Sequence, residues 1–308
     1  MISFRFHLVS LVAVFMALGL GILAGTTVLN RGIVAQLQNQ TEDLESSRDQ
    51  VREENARLRA ELALVNRFNE MVVPYLVNGR LTGQDAVLIT QEGTDDTAIN
   101  RVVEGLEAAG AEVKALLSVG SRMALPAEDD REDLATAIGQ EDVTEPAELK
   151  LLTAEAVADR LSFGPAEEDL LVELIQAEFF LNPGPGLGEQ GLSELSAADL
   201  VVVVGGGSEQ PALRPDVFLV PLVASLARNG DEQAVAAAES LESTYEFVTL
   251  LRSDGDTANQ IVTQDNVDEL LGEVGLVLAL EDLMVFGEAG HYGAKDGAST
   301  LIPPAETG

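Results

Sequence analysis

Hydrophobic residues are distributed unevenly along this chain, and the first 70 positions hold the most regular pattern. The segment from Leu8 to Leu29 contains no charged residue and consists mostly of Leu, Val, Ala, Phe, Ile and Gly. At about 1.5 Å per residue, a helix of this length spans a hydrocarbon core of about 30 Å. We therefore predict a transmembrane helix over residues 8–29, preceded by a cytoplasmic tail of residues 1–7.

A cleaved signal peptide is the competing interpretation of this segment. Its apolar core would be about 7–15 residues long and would end in small residues that suit cleavage. The apolar run here is longer, and Gly25-Thr26-Thr27 makes a poor cleavage site, which favours an uncleaved signal anchor. Few Lys or Arg residues flank the span, but so short a tail stays most easily in the cytoplasm. We expect a single-pass plasma membrane protein whose main domain lies outside, in the cell envelope.

Small residues recur at every fourth position along one face of the predicted span. They are Ala13, Ala17, Gly21 and Gly25. Such a face lets two transmembrane helices approach closely, which indicates a self-association surface within the bilayer. Small residues are also common in spans that do not associate, so both interpretations stay open.

A heptad pattern follows the span and predicts a coiled-coil stalk over residues 31–73, which Pro74 ends. The apolar d positions fall seven residues apart, and the mixed a positions include an Asn, which favours a defined register and a low oligomer number. The residues predicted to pair two chains in parallel are Leu37, Leu44, Val51, Asn55, Leu58, Leu62 and Val65. The alternative is a single amphipathic helix packed on the globular domain.

Beyond the stalk, strand and helix patterns alternate over residues 83–293. The apolar runs at 85–90 and 198–204 are typical of parallel strands covered on both faces. The repeated strand–helix units predict an extracytoplasmic α/β domain with a mainly parallel sheet and helices on both faces. We expect the acidic segment at about 120–145 to be mobile and residues 294–308 to form a disordered tail.

Charge and composition narrow the classes of function. The chain carries 52 Asp and Glu against 18 Lys and Arg, a net charge of −34. Such a surface repels nucleic acid, so we predict no nucleic-acid partner. It could serve solubility, or it could attract cations or a basic protein. The absence of cysteine excludes disulfides, thiolate chemistry and cysteine-based metal sites.

No motif singles out a catalytic or cofactor site. The glycines of residues 186–191 match a dinucleotide-binding pattern, but turn residues precede them where a strand is required. The glycines of residues 205–207 follow a strand and are interpreted mainly as a tight turn. Only His7 and His291 are present, and the scattered methionines offer no cluster of soft ligands for copper(I). The residues therefore predict a non-enzymatic protein without a cofactor or metal site.

Three sequences resemble the actinobacterial MctB family, and the resemblance covers essentially the whole chain. They are residues 1–11 followed by 17–25, Thr263-Gln264-Asp265-Asn266-Val267-Asp268 and Gly290-His291-Tyr292-Gly293. The family is named for copper transport across the mycobacterial outer membrane. Its corynebacterial members look like SteB, a membrane-anchored partner of SteA in daughter-cell separation that is linked to control of a peptidoglycan hydrolase.

The resemblance, the heptad pattern and the missing copper ligands together lead to a main hypothesis. We expect a SteB-like, dimeric, membrane-anchored scaffold that binds a SteA-like division protein and regulates peptidoglycan hydrolysis. The alternative, implied by the family name, is copper homeostasis or transport across the envelope. A third is a ligand-binding α/β module that uses the loop after Val204. The resemblance also marks His291, Tyr292 and Gly293 as a loop that either packs against the last helix or faces a partner.

Overall fold

A computed structural model describes residues 4–182, 195–207, 211–230 and 233–304. The chain divides into two compact units, Met1–Phe68 and Asn69–Gly308. The predicted glycine motif at 186–191 lies outside the described residues, as do residues 305–308 of the predicted tail. Among the described residues, the helices are α1 Phe4–Val77, α2 Asp96–Ala108, α3 Glu128–Ala137, α4 Pro146–Phe163, α5 Leu170–Gln176, α6 Leu219–Asn229, α7 Phe247–Ser253, α8 Gly255–Ala258 and α9 Leu270–Phe286.

The first unit is helical, as the apolar and heptad patterns predict. Its segment Phe6–Gly25 is long and apolar enough to cross a membrane. The apolar heptad residues of the stalk are 50–71% exposed in the single chain. The structure therefore confirms one candidate span and a helical N-terminal region, while the coiled coil stays a prediction.

Pro74 does not end α1, and this expectation was wrong. The helix continues for almost one more turn to Val77, and the Asn78 amide donates a 3.1 Å hydrogen bond to the Pro74 carbonyl. Val73 and Val77, on either side of the proline, are buried in the core of the second unit. Their burial offsets the backbone hydrogen bond that a proline removes inside a helix.

The second unit holds a seven-stranded sheet, counted over the described residues. Its strands are β1 Asp85–Gln91, β2 Glu112–Val119, β3 Phe180–Leu181, β4 Leu200–Gly205, β5 Ala234–Glu239, β6 Val262–Gln264 and β7 Gly290–Tyr292. Their order across the sheet is β3-β2-β1-β4-β5-β6-β7. The β3 strand is antiparallel to β2, and all other pairs are parallel. This confirms the predicted α/β domain with a mainly parallel sheet.

Helices cover both faces of this sheet, because successive strand residues point to opposite sides. In β1, Val87 and Ile89 enter a core formed with α3 to α7. Their neighbours Ala86 and Leu88 enter a second core, formed with α2, α9 and the end of α1. The sheet is therefore buried on both sides, which explains the long apolar runs of its central strands.

The acidic segment at 120–145 is folded, contrary to the expected mobility. It contains a 3₁₀ turn, Ser121–Ala124, followed by α3. Met123 and Leu134 are fully buried. Arg122 pairs with both Asp130 and Asp133, so one guanidinium compensates two of the carboxylates. The high charge density of this segment predicted that it would be solvated. In the structure, the buried side chains of Met123 and Leu134 and the ion pairs of Arg122 hold the segment on the domain.

The predicted disordered tail is also folded over its described part, residues 294–304. The Ser299 amide donates a 2.8 Å hydrogen bond to the His291 carbonyl, and the Gly293 amide donates one of 2.9 Å to the Thr300 carbonyl. Pro303 is buried. These contacts fold the chain back along β7 and close the edge of the sheet.

Candidate functional site

Over the described residues, backbone closes the crevice at which doubly wound folds bind ligands. Such ligands bind beyond the carboxyl ends of the strands, where the strand order reverses, which here is between β1 and β4. The Asp95 amide donates a 3.1 Å hydrogen bond across this gap to the Gly206 carbonyl. A Cβ atom on Gly207 would lie 2.2 Å from the Gly93 carbonyl oxygen. Backbone therefore fills the described part of the crevice, which argues against the ligand-binding module predicted at the loop after Val204.

A buried polar network lies further along the same edge of the sheet, at the ends of β5, β6 and β7. We call it the strand-end network. Its members are Glu239, Arg252, Thr263, Asp265, His291 and Lys295. Because these strands run parallel, their carboxyl ends meet at one edge and bring together residues far apart in the sequence.

Arg252 is the centre of the strand-end network. Its side chain and that of Asp265 are 3% and 0% exposed, and Nη1 donates to Asp265 Oδ2 at 2.9 Å. Nε donates to Thr263 Oγ1 at 2.8 Å, and Nη2 donates to the Tyr292 carbonyl at 2.7 Å. A buried charge is tolerated only when it is paired and hydrogen-bonded, and this guanidinium meets both conditions. It joins α7 to β6 and β7.

The Asp265 carboxylate also holds the chain that leaves β7. Oδ1 accepts a 2.6 Å hydrogen bond from the Ala294 amide, and Oδ2 accepts one of 3.1 Å from the Lys295 amide. Gly293 has a φ of 125°, and a Cβ atom there would lie 2.2 Å from the Asp265 carboxylate. Only glycine fits this position, since both the backbone conformation and the space exclude a side chain.

Glu239 and Lys295 form a second buried ion pair in the network. Lys295 Nζ contacts the Glu239 carboxylate and donates to the Ser240 carbonyl at 2.8 Å. The other carboxylate oxygen of Glu239 accepts a 2.8 Å hydrogen bond from the Val248 amide. Burial raises the pKa of Glu239 above its ordinary value, against the opposing effect of Lys295 and the Val248 amide.

His291 lies in surroundings that disfavour its charged form. Its Nδ1 lies 3.0 Å from Thr263 Oγ1, which already accepts a hydrogen bond from Arg252. The threonine hydroxyl is therefore free to donate its proton to Nδ1. Burial and the nearby Arg252 charge both lower the pKa of His291. Within the described residues, no three His, Asp or Glu side chains form a group that could hold a metal ion.

The two internal sequences marked by the family resemblance meet in this network. Residues 263–268 supply Thr263 and Asp265, and residues 290–293 supply His291. His291 and Tyr292 lie in strand β7 rather than in the predicted loop, because both pair with β6. Tyr292 and Gly293 are buried, and only His291 is partly exposed. A role for these residues in facing a partner stays a prediction.

Three members of the network were missed by sequence reasoning. Arg252 and Glu239 belong to no motif and sit in ordinary helix and strand patterns. Lys295 is one of three lysines in the chain, which is the one sequence signal that could have drawn attention to it. It was instead placed in a disordered tail.

The predicted pairing residues all lie on α1. Asn55 Nδ2 donates a 2.8 Å hydrogen bond to the Val51 carbonyl of its own helix, and Oδ1 takes no part in this bond. A Cβ atom added to Gly21 or Gly25 would have nothing within 4 Å beyond the nearby backbone of its own helix. The small-residue face and the heptad residues therefore both stay predictions.

Comparison with known proteins identifies a matching family and relatives of nearly equal length. The family model described as "Copper transport outer membrane protein, MctB" matches residues 1–303. The protein named Copper transporter MctB from Mycobacterium tuberculosis (strain H37Rv) is 26% identical over 327 residues, which cover 98% of this chain and 99% of the relative. The protein of the same name from Mycobacterium leprae is 24% identical over 320 residues, 99% of this chain and 100% of the relative.

These findings contradict the main functional hypothesis. The names of the family and its relatives indicate copper transport, the stated alternative, and nothing supports a SteB-like scaffold or a SteA-like division partner. The hypothesis gave too much weight to the missing soft ligands. Their absence argues against one kind of copper(I) site, but it does not argue against a role in copper transport. The match across almost the whole length shows that this chain belongs to the MctB family.

Proposed function

We propose that this protein is a membrane-anchored component of copper transport in the cell envelope and that it is not an enzyme. The observation that carries this proposal is the family match over residues 1–303, together with relatives of nearly equal length that are named copper transporters. The strand-end network supports the non-enzymatic part. Its charged groups are engaged with one another and with the backbone, which suits a structural role.

The proposal includes a single membrane crossing by residues 8–29, with the N-terminus in the cytoplasm and the α/β domain outside. The apolar segment Phe6–Gly25 supports this arrangement. Because the chain has no cysteine, one thiol can be introduced at a chosen place. A membrane-impermeant maleimide should label Leu241→Cys in intact cells and Ser3→Cys only after permeabilisation. The reverse pattern would contradict the orientation.

The proposal also includes parallel pairing of two chains through the heptad residues Leu37 to Val65. Their exposure in the single chain supports it, since a partner helix would remove this apolar surface from water. The face of Ala13, Ala17, Gly21 and Gly25 would extend the pairing into the bilayer. Anchoring in one membrane favours such pairing, because it raises the local concentration of partners.

The decisive test measures copper in cells that lack the gene. Copper content, determined by elemental analysis after growth in copper-rich medium, should differ from that of the parent strain, while zinc content should not. The full chain should restore the parental value, and a secreted chain lacking residues 1–30 should not. Equal copper content in the deletion and parent strains would contradict the proposal.

A second measurement separates direct from indirect action on copper. Purified full-length protein in detergent is titrated with copper(I) in competition with a chromogenic chelator. Stoichiometric uptake would mean that the chain itself carries the ion. Absence of uptake, combined with an altered copper content in the deletion strain, would place its role in the assembly or support of a transport pathway.

A further inference from the structure

A small apolar groove lies within the second unit, beside the last turns of α1. Its volume is about 110 Å³, room for one aliphatic side chain. It is lined by Asn69, Val72, Val73, Leu76, Leu270, Leu271, Val274 and Ile302. One wall is thus formed by α1 and the other by α9 with the C-terminal segment.

The α1 wall has the geometry of a coiled-coil hole. Its four residues Asn69, Val72, Val73 and Leu76 follow the spacing i, i+3, i+4, i+7, which forms a diamond on a helix surface. In a coiled coil, each a or d side chain of one helix inserts into such a group of four residues on the facing helix.

The heptad register of the stalk runs into this diamond without interruption. Counting seven residues onward from Val65 places Val72 at d, and counting from Leu62 places Asn69 and Leu76 at a. Pro74 then falls at f, the position farthest from a pairing surface, where a proline disturbs no contact between helices. The heptad register of the predicted stalk can thus be continued past residue 73 to Leu76.

Burial divides this part of α1 into two stripes. Val73 and Val77 face the core of their own domain and are buried. The neighbouring stripe is less buried: Asn69 and Val72 are half-buried and Leu76 is 41% exposed, with Leu271 43% exposed across the groove. The domain therefore buries the side of the helix that holds Val73 and Val77 and leaves the a and d side partly accessible.

We propose that this groove receives Val72 from a second copy of the chain. The parallel pairing then continues from the stalk into the α/β domain, and Leu271 of one copy packs on α1 of the other. This inference rests on the proposed stalk pairing and deepens it, because it makes the globular domain part of the interface. It commits to a second copy because the groove lies in the register of the pairing residues.

Cysteine cross-linking in native membranes tests the inference, since the full chain has no cysteine of its own. Single variants Leu58→Cys, Val72→Cys and Met71→Cys are oxidised under identical conditions. Residues at d face each other across a parallel pair, so the first two should form disulfide-linked dimers. Met71, at c and 62% exposed, should give roughly tenfold less.

The three variants separate this inference from the stalk pairing. Cross-linking at Leu58→Cys but not at Val72→Cys would overturn the groove contact and leave the stalk pairing intact. No cross-linking at either position would overturn both. Equal yields at Val72→Cys and Met71→Cys would also overturn the groove contact, because a specific register would then be absent.

A pair of matched second changes tests the role of the α9 wall. Leu271→Asp and Leu250→Asp both replace a leucine that is 43% exposed, but only Leu271 lines the groove. In the Val72→Cys chain, Leu271→Asp should lower the dimer yield several-fold and Leu250→Asp should not. Neither change should affect cross-linking at Leu58→Cys. Equal effects of the two aspartates would contradict the proposed packing of Leu271.

Discussion

The same apolar residue types are treated in opposite ways by the two units of this chain. In the first unit, side chains such as Phe15 and Leu44 are largely exposed, whereas Leu88 and Phe218 in the second unit are fully buried. The α/β domain satisfies its apolar pattern internally. The described apolar side chains of the first unit are not covered by any other part of the same chain. We propose that a bilayer and a second copy of the chain cover them.

Charged residues show the same contrast. Arg57 in the first unit pairs with Glu54 and Glu61 while 60% of its side chain stays exposed. Arg252 in the second unit is 3% exposed and pairs with a fully buried Asp265. Water can replace the partners of Arg57 but cannot reach those of Arg252. Ion pairs in the stalk thus contribute solubility, whereas those at the strand ends hold the fold together.

The largest expected effect comes from breaking the buried ion pair. Arg252→Met should lower the free energy of unfolding of the domain by about 3–5 kcal/mol, because Asp265 is left as an uncompensated buried charge. Denaturant unfolding of the full chain in detergent, followed by hydrogen exchange of peptides from β6, measures this change. The matched change Arg57→Met should leave the same peptides unaffected. Similar losses in the two variants would remove the contrast between the units.

The next largest effect concerns the apolar surface of the stalk. Leu58→Gln should weaken self-association by about 1.5–3 kcal/mol per chain, the contribution of one buried leucine. Leu64→Gln is the control, because Leu64 is exposed to 68% but lies off the heptad seam. Sedimentation in detergent should show dissociation of the Leu58 variant alone. A monomeric parent protein at tens of micromolar would contradict stalk pairing.

Fold prediction succeeded where several consecutive residues are buried. Strands β1 and β4 were recognisable because their continuous apolar runs require cover on both sides. Strand β3 was not, since residues 166–180 carry a helical pattern and Phe180–Leu181 becomes a strand only through its pairing with Ser118 and Val119. The acidic segment was misjudged for a similar reason, because its order depends on tertiary contacts of Met123 and Leu134.

The site was predictable in its parts but not in its assembly. The family resemblance marked Asp265 and His291, yet no local pattern shows that they lie side by side or that Arg252 joins them. That arrangement follows from the order of β5, β6 and β7 in the sheet, which single-sequence patterns do not determine. The functional hypothesis failed differently, because missing ligands were allowed to outweigh the family name.

A smaller effect is expected at the closed crevice. Gly207→Ala should destabilise the domain by about 1–3 kcal/mol, because its new methyl group meets the Gly93 carbonyl. The new methyl group of Gly21→Ala in the first unit has nothing within 4 Å beyond the nearby backbone of its own helix, so the change should leave domain unfolding unchanged. Any effect of Gly21→Ala should appear in self-association within the membrane. A silent Gly207→Ala would mean that the crevice opens readily, and it would revive a ligand site there.

The smallest expected effect is a pH dependence from His291, which has no counterpart in the exposed stalk. Its pKa in the folded protein is lowered from 6.5, so the unfolded chain binds the proton more tightly. The contribution of His291 to the free energy of unfolding is therefore fully present above pH 6.5, and it is lost as the pH drops toward the folded-state pKa. Glu239 acts in the opposite direction, because its raised pKa lowers stability as the pH rises above its ordinary value of 4.5.

The two contributions are separated by comparing His291→Gln with the parent protein at each pH. The glutamine variant should lose the decline in unfolding free energy just below pH 6.5 and keep the opposite slope due to Glu239. Denaturant midpoints on both sides of pH 6.5 provide the measurement. Parallel pH profiles for the two proteins would mean that His291 is solvated in the folded state. The strand-end network would then be more open than its hydrogen bonds indicate, and His291 would resemble the exposed groups of the stalk.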